Sequence, residues 1–307
     1  MKVASLILTF LALIPALSAA DYQHATNVRV SSIYLSPDAG STKLAEVDRG
    51  REIVVLETSR DWAHIQVNLS EDRSLTGWMP ASGVIQSSTP NGDKIVFGEA
   101  IDSEDQASRA KGRHDAAQDS LRLYYAVFEL FPTSPLAAEA AYRSADIRWQ
   151  MEKPDVLARP SAKEQDPSLR EGMEEKYMKE VIKKFPGTKW ADLASFHLID
   201  NKLCGDWQGQ GKCPAKEAGI YERYANEHSQ SPSAAEALYN AAWRWSALIE
   251  IAKTEDQAKK SADAKVKAVA DGQKLVSQFP LSSWAARAQR LLYYMELNIP
   301  TYGNGNQ

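Results

Sequence analysis

Little in this chain points to chemistry of its own. Its 307 residues contain no His-Glu-x-x-His metalloprotease helix and no Gly-x-Ser-x-Gly nucleophile elbow. The glycines around 205–211 do not make a phosphate-binding loop. Asp206 stands five residues before Gly211, and Cys213 takes the place of the required Ser or Thr. The five histidines are scattered, at 24, 64, 114, 197 and 228. Acidic residues are plentiful but fall mostly on helix faces, where solvation is the ordinary explanation. No catalytic residue, metal ligand or cofactor is therefore expected, although a carboxylate pair assembled only by folding leaves no sequence mark. Basic residues are not in excess: 36 Lys and Arg stand against 40 Asp and Glu, a net charge of −4. That argues against nucleic acid as a partner. Beyond residue 20 no apolar run approaches the ~18 residues of a membrane span.

Against these absences stands a phrase written four times. It reads Phe131-Pro132-Thr133-Ser134-Pro135-Leu136-Ala137 and returns at Phe185-Pro186-Gly187-Thr188 and at Phe279-Pro280-Leu281-Ser282. A weaker copy begins at His228-Ser229-Gln230-Ser231. Phe-Pro closes the preceding helix, because the residue before proline is pushed out of the α region. The Ser or Thr at 134, 188, 231 and 282 is placed to cap the next helix. Pro135 and Pro232 are expected at the first helical position. Alanines follow at 137/140, 191/194, 234/237 and 285/288, small residues that let a neighbouring helix approach. Four copies with matched caps outweigh chance in an Ala-rich chain.

Residues 1–20 read as an export signal. Lys2 is followed by the apolar run Val3–Leu13, a break at Pro15, and Ser18-Ala19-Ala20 before Asp21. An uncleaved anchor is the alternative. Cys204 and Cys213 are the chain's two cysteines and flank one Gly-rich loop. Export favours a disulfide between them, with two free thiols as the alternative.

Residues 21–90 alternate in hydrophobicity. Strands are expected at 27–30, 51–57, 62–67, 75–79 and 82–85, with turns at 36–40, 48–50 and 70–73. Residues 91–112 read as a linker, Ile95-Val96-Phe97 being a short added strand or a tether and the polar Glu99–Gly112 an alternative start of the helical region. From 113 to 300, apolar residues three and four apart on either side of each phrase predict about four helix pairs. Residues 301–307 read as a disordered tail.

Two resemblances follow from these residues. The order Asn27-Val28-Arg29, Gly50-Arg51-Glu52-Ile53-Val54-Val55, Asp61-Trp62 and Gly77-Trp78-Met79 resembles the bacterial SH3-like (SH3b) domain. The family often continues Val-Arg-x-Gly-Pro, where this chain has Val28-Arg29-Val30-Ser31-Ser32. The resemblance implies a small all-β barrel that binds cell-wall peptides or proteins. Tyr34, Trp62 and Trp78 are its candidate ligand-binding aromatics; the alternative is that Trp62 and Trp78 plug the barrel core. The helical pairs resemble tetratricopeptide-like repeats, like those of outer-membrane assembly lipoproteins and cell-division coordinators. The phrase spacing of 54, 43 and 51 residues exceeds the standard ~34. The excess lies largely in 153–169 and in the Cys204–Cys213 loop. Each is a functional face or a bland loop. Trp207, within the second, has the best claim to exposure.

The expected architecture is a small SH3-like barrel followed by an all-α solenoid. The expected function is a non-enzymatic envelope adaptor, periplasmic or secreted, whose partners are envelope proteins or peptidoglycan peptides. A cell-wall hydrolase or its activating subunit, and a component of an outer-membrane assembly complex, are the alternatives.

Overall fold

The computed structural model describes residues 23–303. The signal expected at 1–20 and residues 304–307 of the expected tail lie outside the described residues. Seven strands come first: β1 (Gln23–Asn27), β2 (Ser31–Tyr34), β3 (Lys43–Val47), β4 (Glu52–Ser59), β5 (Trp62–Ser70), β6 (Arg73–Pro80) and β7 (Val84–Gln86). Nine α-helices follow among the described residues: α1 (Gly92–Ser108), α2 (Ala116–Leu130), α3 (Ala137–Ala158), α4 (Lys176–Lys184), α5 (Lys189–His197), α6 (Lys212–Glu227), α7 (Ala234–Thr254), α8 (Ala258–Gln278) and α9 (Ser283–Glu296).

The sheet corrects the expectation of a closed SH3-like barrel. Its strand order is β3-β2-β6-β5-β4-β1-β7, with antiparallel pairing. β3 and β7 end the sheet on opposite sides and do not pair with each other, so it is open. Period-two alternation specifies a strand's buried face, not whether the two edges of a sheet meet. Here β7 is only three residues long and gives way to α1 within six residues. β3 carries Lys43 and Glu46, edge charges of the kind that discourage strand pairing. The barrel-plus-solenoid architecture is thus replaced by an open seven-stranded sheet followed by helices.

Of the stretch 27–30, expected as a strand, Asn27 ends β1 and 28–30 make the corner before β2. Asn27 Nδ2 donates to the carbonyls of Arg29 at 2.6 Å and Val47 at 3.3 Å. Along β5 the alternation holds: Ala63, Ile65 and Val67 are buried, while Trp62, His64 and Gln66 turn the other way. Ile33, Val47, Ile53, Ile65 and Met79 fill the sheet's core.

Residues 92–108, within the expected linker, form helix α1. Val96, Phe97 and Ala100 bury against Leu123, Tyr124 and Val127 of α2, and Val28 and Ile85 of the sheet join the same cluster. The helical region therefore starts at Gly92 and has one helix more than the eight expected. At Gly50 (φ +69°) the strand turn presses on α2: a Cβ there would lie 2.7 Å from Arg122 Cβ and from Leu123 N. Arg122 Nε donates to Arg49 O at 3.0 Å, and Arg49 pairs with Glu99 at 3.2 Å.

The four phrase copies are geometric repeats. Phe131, Phe185, His228 and Phe279 each end a helix with φ between −122° and −129° and ψ between 47° and 55°. Each donates its N–H to a carbonyl four residues back, at 2.8–3.0 Å. The eight phrase alanines are all buried. Thr188 and Ser282 cap their helices by accepting from Ala191 N (3.3 Å) and Ala285 N (3.1 Å). After Pro135 and Pro232 a turn intervenes, and the helices begin two residues later, at Ala137 and Ala234. Ser134 bonds Asp93 of α1 at 2.7 Å, and Ser231 bonds Tyr224 at 2.6 Å.

Candidate functional site

Three of the four residues singled out in the sequence meet on the outer face of the sheet. Alternation on β2, β5 and β6 sends Tyr34, Trp62 and Trp78 away from the core that Ile33, Ala63 and Met79 fill. Tyr34 lies opposite Trp78 in the β2–β6 register, and His64 lies opposite Trp78 in the β5–β6 register. The rings make a strip. Tyr34 meets Trp62 edge-on at 5.7 Å, and His64 stacks on Trp78 at 4.7 Å with 15° between planes. Glu57 on β4 holds His64 Nδ1 at 3.4 Å. All four rings are half-buried. The tryptophans are therefore not core plugs: each presents one side to solvent. His64 was legible only as a residue sharing Trp62's parity.

Trp207 lies elsewhere and is not a free surface residue. Cys204 and Cys213 form a disulfide, and the loop between them folds over the α6–α7 pair. Trp207 Nε1 donates to Glu217 Oε1 at 3.1 Å, and its ring packs on Trp243 (5.4 Å) and Tyr302 (5.6 Å). Glu217 also accepts from Cys204 N at 2.9 Å and pairs with Arg244 Nε at 2.7 Å. The first long insertion, 153–169, packs on this loop. Gly205 N donates to Glu164 O at 2.8 Å, Asp206 N to Lys163 O at 3.1 Å, and Gln165 Nε2 to Trp207 O at 3.2 Å. Of the stretch expected as a disordered tail, Thr301 is buried and donates to Ser246 O at 3.2 Å.

A polar patch on α3 and α5 carried no sequence signal, because its members are far apart in the chain. His197 Nε2 lies 3.2 Å from both Asp146 Oδ1 and the Tyr142 hydroxyl. Burial pushes the His197 pKa down, against the opposing pull of Asp146. Beyond it, Asp200 accepts from Lys153 Nζ at 2.8 Å and Trp149 Nε1 at 3.4 Å. Burial raises Glu236, and Asp200 adds repulsion. Trp190 stacks on Tyr142 at 5.5 Å and Trp284 packs on Tyr239 at 5.3 Å, one repeat against the next. This patch is a built, internally paired network.

Among the described residues, no three His, Cys, Asp or Glu side chains come together as a metal-binding group. Among the same residues, no helix is long and apolar enough to cross a membrane. No family model matches the chain, and no curated protein matches it. A solved structure described as "DHF58 filament" is similar at 16% identity over 69% of this chain and 96% of that chain, with a TM-score of 0.25. A likeness that low sets no constraint on fold or function.

Proposed function

We propose that this chain is a non-catalytic binding protein of the bacterial cell envelope, periplasmic or secreted. It takes an extended wall polymer or peptide on the outer face of its sheet and holds that sheet on a helical scaffold. The observation that carries this reading is the strip Tyr34–Trp62–His64–Trp78. Flat rings along neighbouring strands offer stacking and apolar contact to an extended ligand, and rigid aromatics dominate the energetics of recognition. The Cys204–Cys213 disulfide supports an oxidising compartment. Contacts between sheet and helices through Gly50, Arg49 and Arg122 support a module held in fixed orientation rather than on a free tether.

Co-sedimentation of the full chain with purified peptidoglycan sacculi tests the reading. The chain is expected in the pellet, and soluble wall fragments are expected to release it. A chain that stays in the supernatant at low ionic strength contradicts the reading.

A further inference from the structure

A cavity of about 790 Å3 opens where the inner end of the sheet meets α2 and α3, sharing no residue with the aromatic strip. Arg51, Arg122, Tyr125, Arg148, Ser87 and Ser88 are among its walls. Three guanidinium groups in one cavity raise the question of what answers their charge. Arg122 is answered within the protein: it donates to Arg49 O at 3.0 Å and to Asp119 Oδ1 at 2.7 Å.

Arg51 and Arg148 are answered less fully. In each, Nε is buried and has no acceptor. Two other arginines, Arg49 and Arg170, share that feature, but their outer nitrogens are engaged, with Glu99 and with Leu203 O. Arg51 Nη2 makes only a long ion pair, with Asp48 at 3.8 Å, and no hydrogen bond to it. Arg148 lies with its Cζ 4.0 Å over the Tyr177 ring. That contact places the cation against the ring and supplies no hydrogen-bond acceptor. Among the described residues Arg148 has no carboxylate partner. Glu52 and Glu129 also line the cavity, but Glu52 pairs with His24 at 2.8 Å and Glu129 bonds the Tyr125 hydroxyl.

A guanidinium Nε buried without an acceptor is uncommon, and both side chains are half-buried, so the rest of each group can meet a ligand from the cavity side. A guanidinium edge matches the paired oxygens of a carboxylate or a phosphate. The volume suits a small molecule. We propose that this cavity binds a small anionic molecule, its carboxylate or phosphate group held by Arg51 and Arg148, with the exposed Ser87 and Ser88 hydroxyls as further donors and Tyr125 as an aromatic wall.

Calorimetric titration of the full chain with succinate, and separately with inorganic pyrophosphate, tests this and distinguishes the two anion types. One of the two is expected to bind with Kd below about 1 mM, and Arg51→Gln and Arg148→Gln are each expected to weaken it about tenfold or more. Arg73→Gln, on the β5–β6 hairpin, removes the same charge and is expected to leave binding unchanged. Should either cavity variant fail to fold, phenylglyoxal labelling of the wild-type chain is the second readout. The bound anion is expected to protect Arg51 and Arg148 and not Arg73. No binding of either anion up to about 10 mM, equal weakening by Arg73→Gln, or labelling without protection would overturn the proposal.

Discussion

Glu217 shows how one buried charge organises a loop. It is 1% exposed, yet it answers three donors: Cys204 N, Trp207 Nε1 and Arg244 Nε. Arg244 in turn lies over Tyr221, its Cζ 4.4 Å from the ring centroid, and bonds Asn240 at 3.0 Å. Removing one partner of such a pair leaves the other charge buried and unanswered. Glu217→Ala is therefore expected to cost about 3–5 kcal/mol in urea denaturation. A loss below about 1 kcal/mol would mean that the loop and Arg244 relax into water. Little of this was legible beforehand. Glu217 sits mid-helix among other charges, and nothing in its spacing marks it as buried. Trp207 read as exposed because a Gly-rich loop ordinarily is; a carboxylate supplied by α6 draws it in.

At the scale of elements, the repeated phrase was the most legible feature. Phe-Pro endings, hydroxyl caps and paired alanines are local signals, and each acts within one turn of chain. The copies at Thr188 and Ser282 form the expected caps. The copies with Pro135 and Pro232 start their helices two residues late; their serines accept the N–H of Leu136 and Ser233 in the intervening turn and also bond Asp93 and Tyr224. Helix α1 was missed because Gly92 and Gly98 weaken its propensity and its apolar stripe is short. Strand β3 was missed because Lys43-Leu44-Ala45-Glu46-Val47 has no clear alternation. The seam between α6 and α8 adds a pH dependence that no sequence pattern announces. Burial raises the Asp271 pKa to about 7, and Glu222 across the seam pushes the same way, against Lys274 and Lys267. Glu222 itself accepts from Trp245 Nε1 at 2.5 Å.

The sign of that dependence is fixed by the direction of the shift. Between the ordinary value of 3.8 and about 7, folded Asp271 keeps a proton that the unfolded chain has released. Its contribution to stability is present at the acid end of this window and is lost as pH rises through it. Asp271→Asn keeps the neutral form at every pH. The variant is expected to melt about 2–4 °C above wild type at pH 8, with a smaller difference at pH 5. The lowered carboxyls of Asp93 and Glu175 act in the opposite direction but cancel in this comparison. A melting difference that does not change between the two pH values would contradict the assignment.

For the molecule as a whole, the sequence left the role of the two long insertions open, and its expectation of a closed barrel was wrong. Both insertions turned out to pack on each other through backbone hydrogen bonds, so residues 160–170 and 204–213 stiffen one side of the helical array. The disulfide closes the second of them. Reducing it is expected to lower stability by about 2–3 kcal/mol, read by urea denaturation with and without reductant. The native chain is expected to keep its helical content under reductant, because Glu217 and Trp207 still hold the loop. Whether a sheet closes depends on what its edge strands meet, and that is information from outside the strands. The aromatic strip was legible only in part: alternation puts Trp62 and His64 on one face of β5, but it does not say whether that face is the core, so core-filling tryptophans stayed an alternative.

The most direct test of the binding account compares wild type with a Trp62→Ala/Trp78→Ala variant for affinity to sacculi, with circular dichroism to show that the sheet is intact. These rings sit outside the core, so the variant is expected to fold. Each ring is expected to contribute about 1–2 kcal/mol of binding, so the variant should bind at least about tenfold more weakly. A folded variant that binds sacculi as tightly as wild type would contradict the account and remove the sheet's outer face from the interaction.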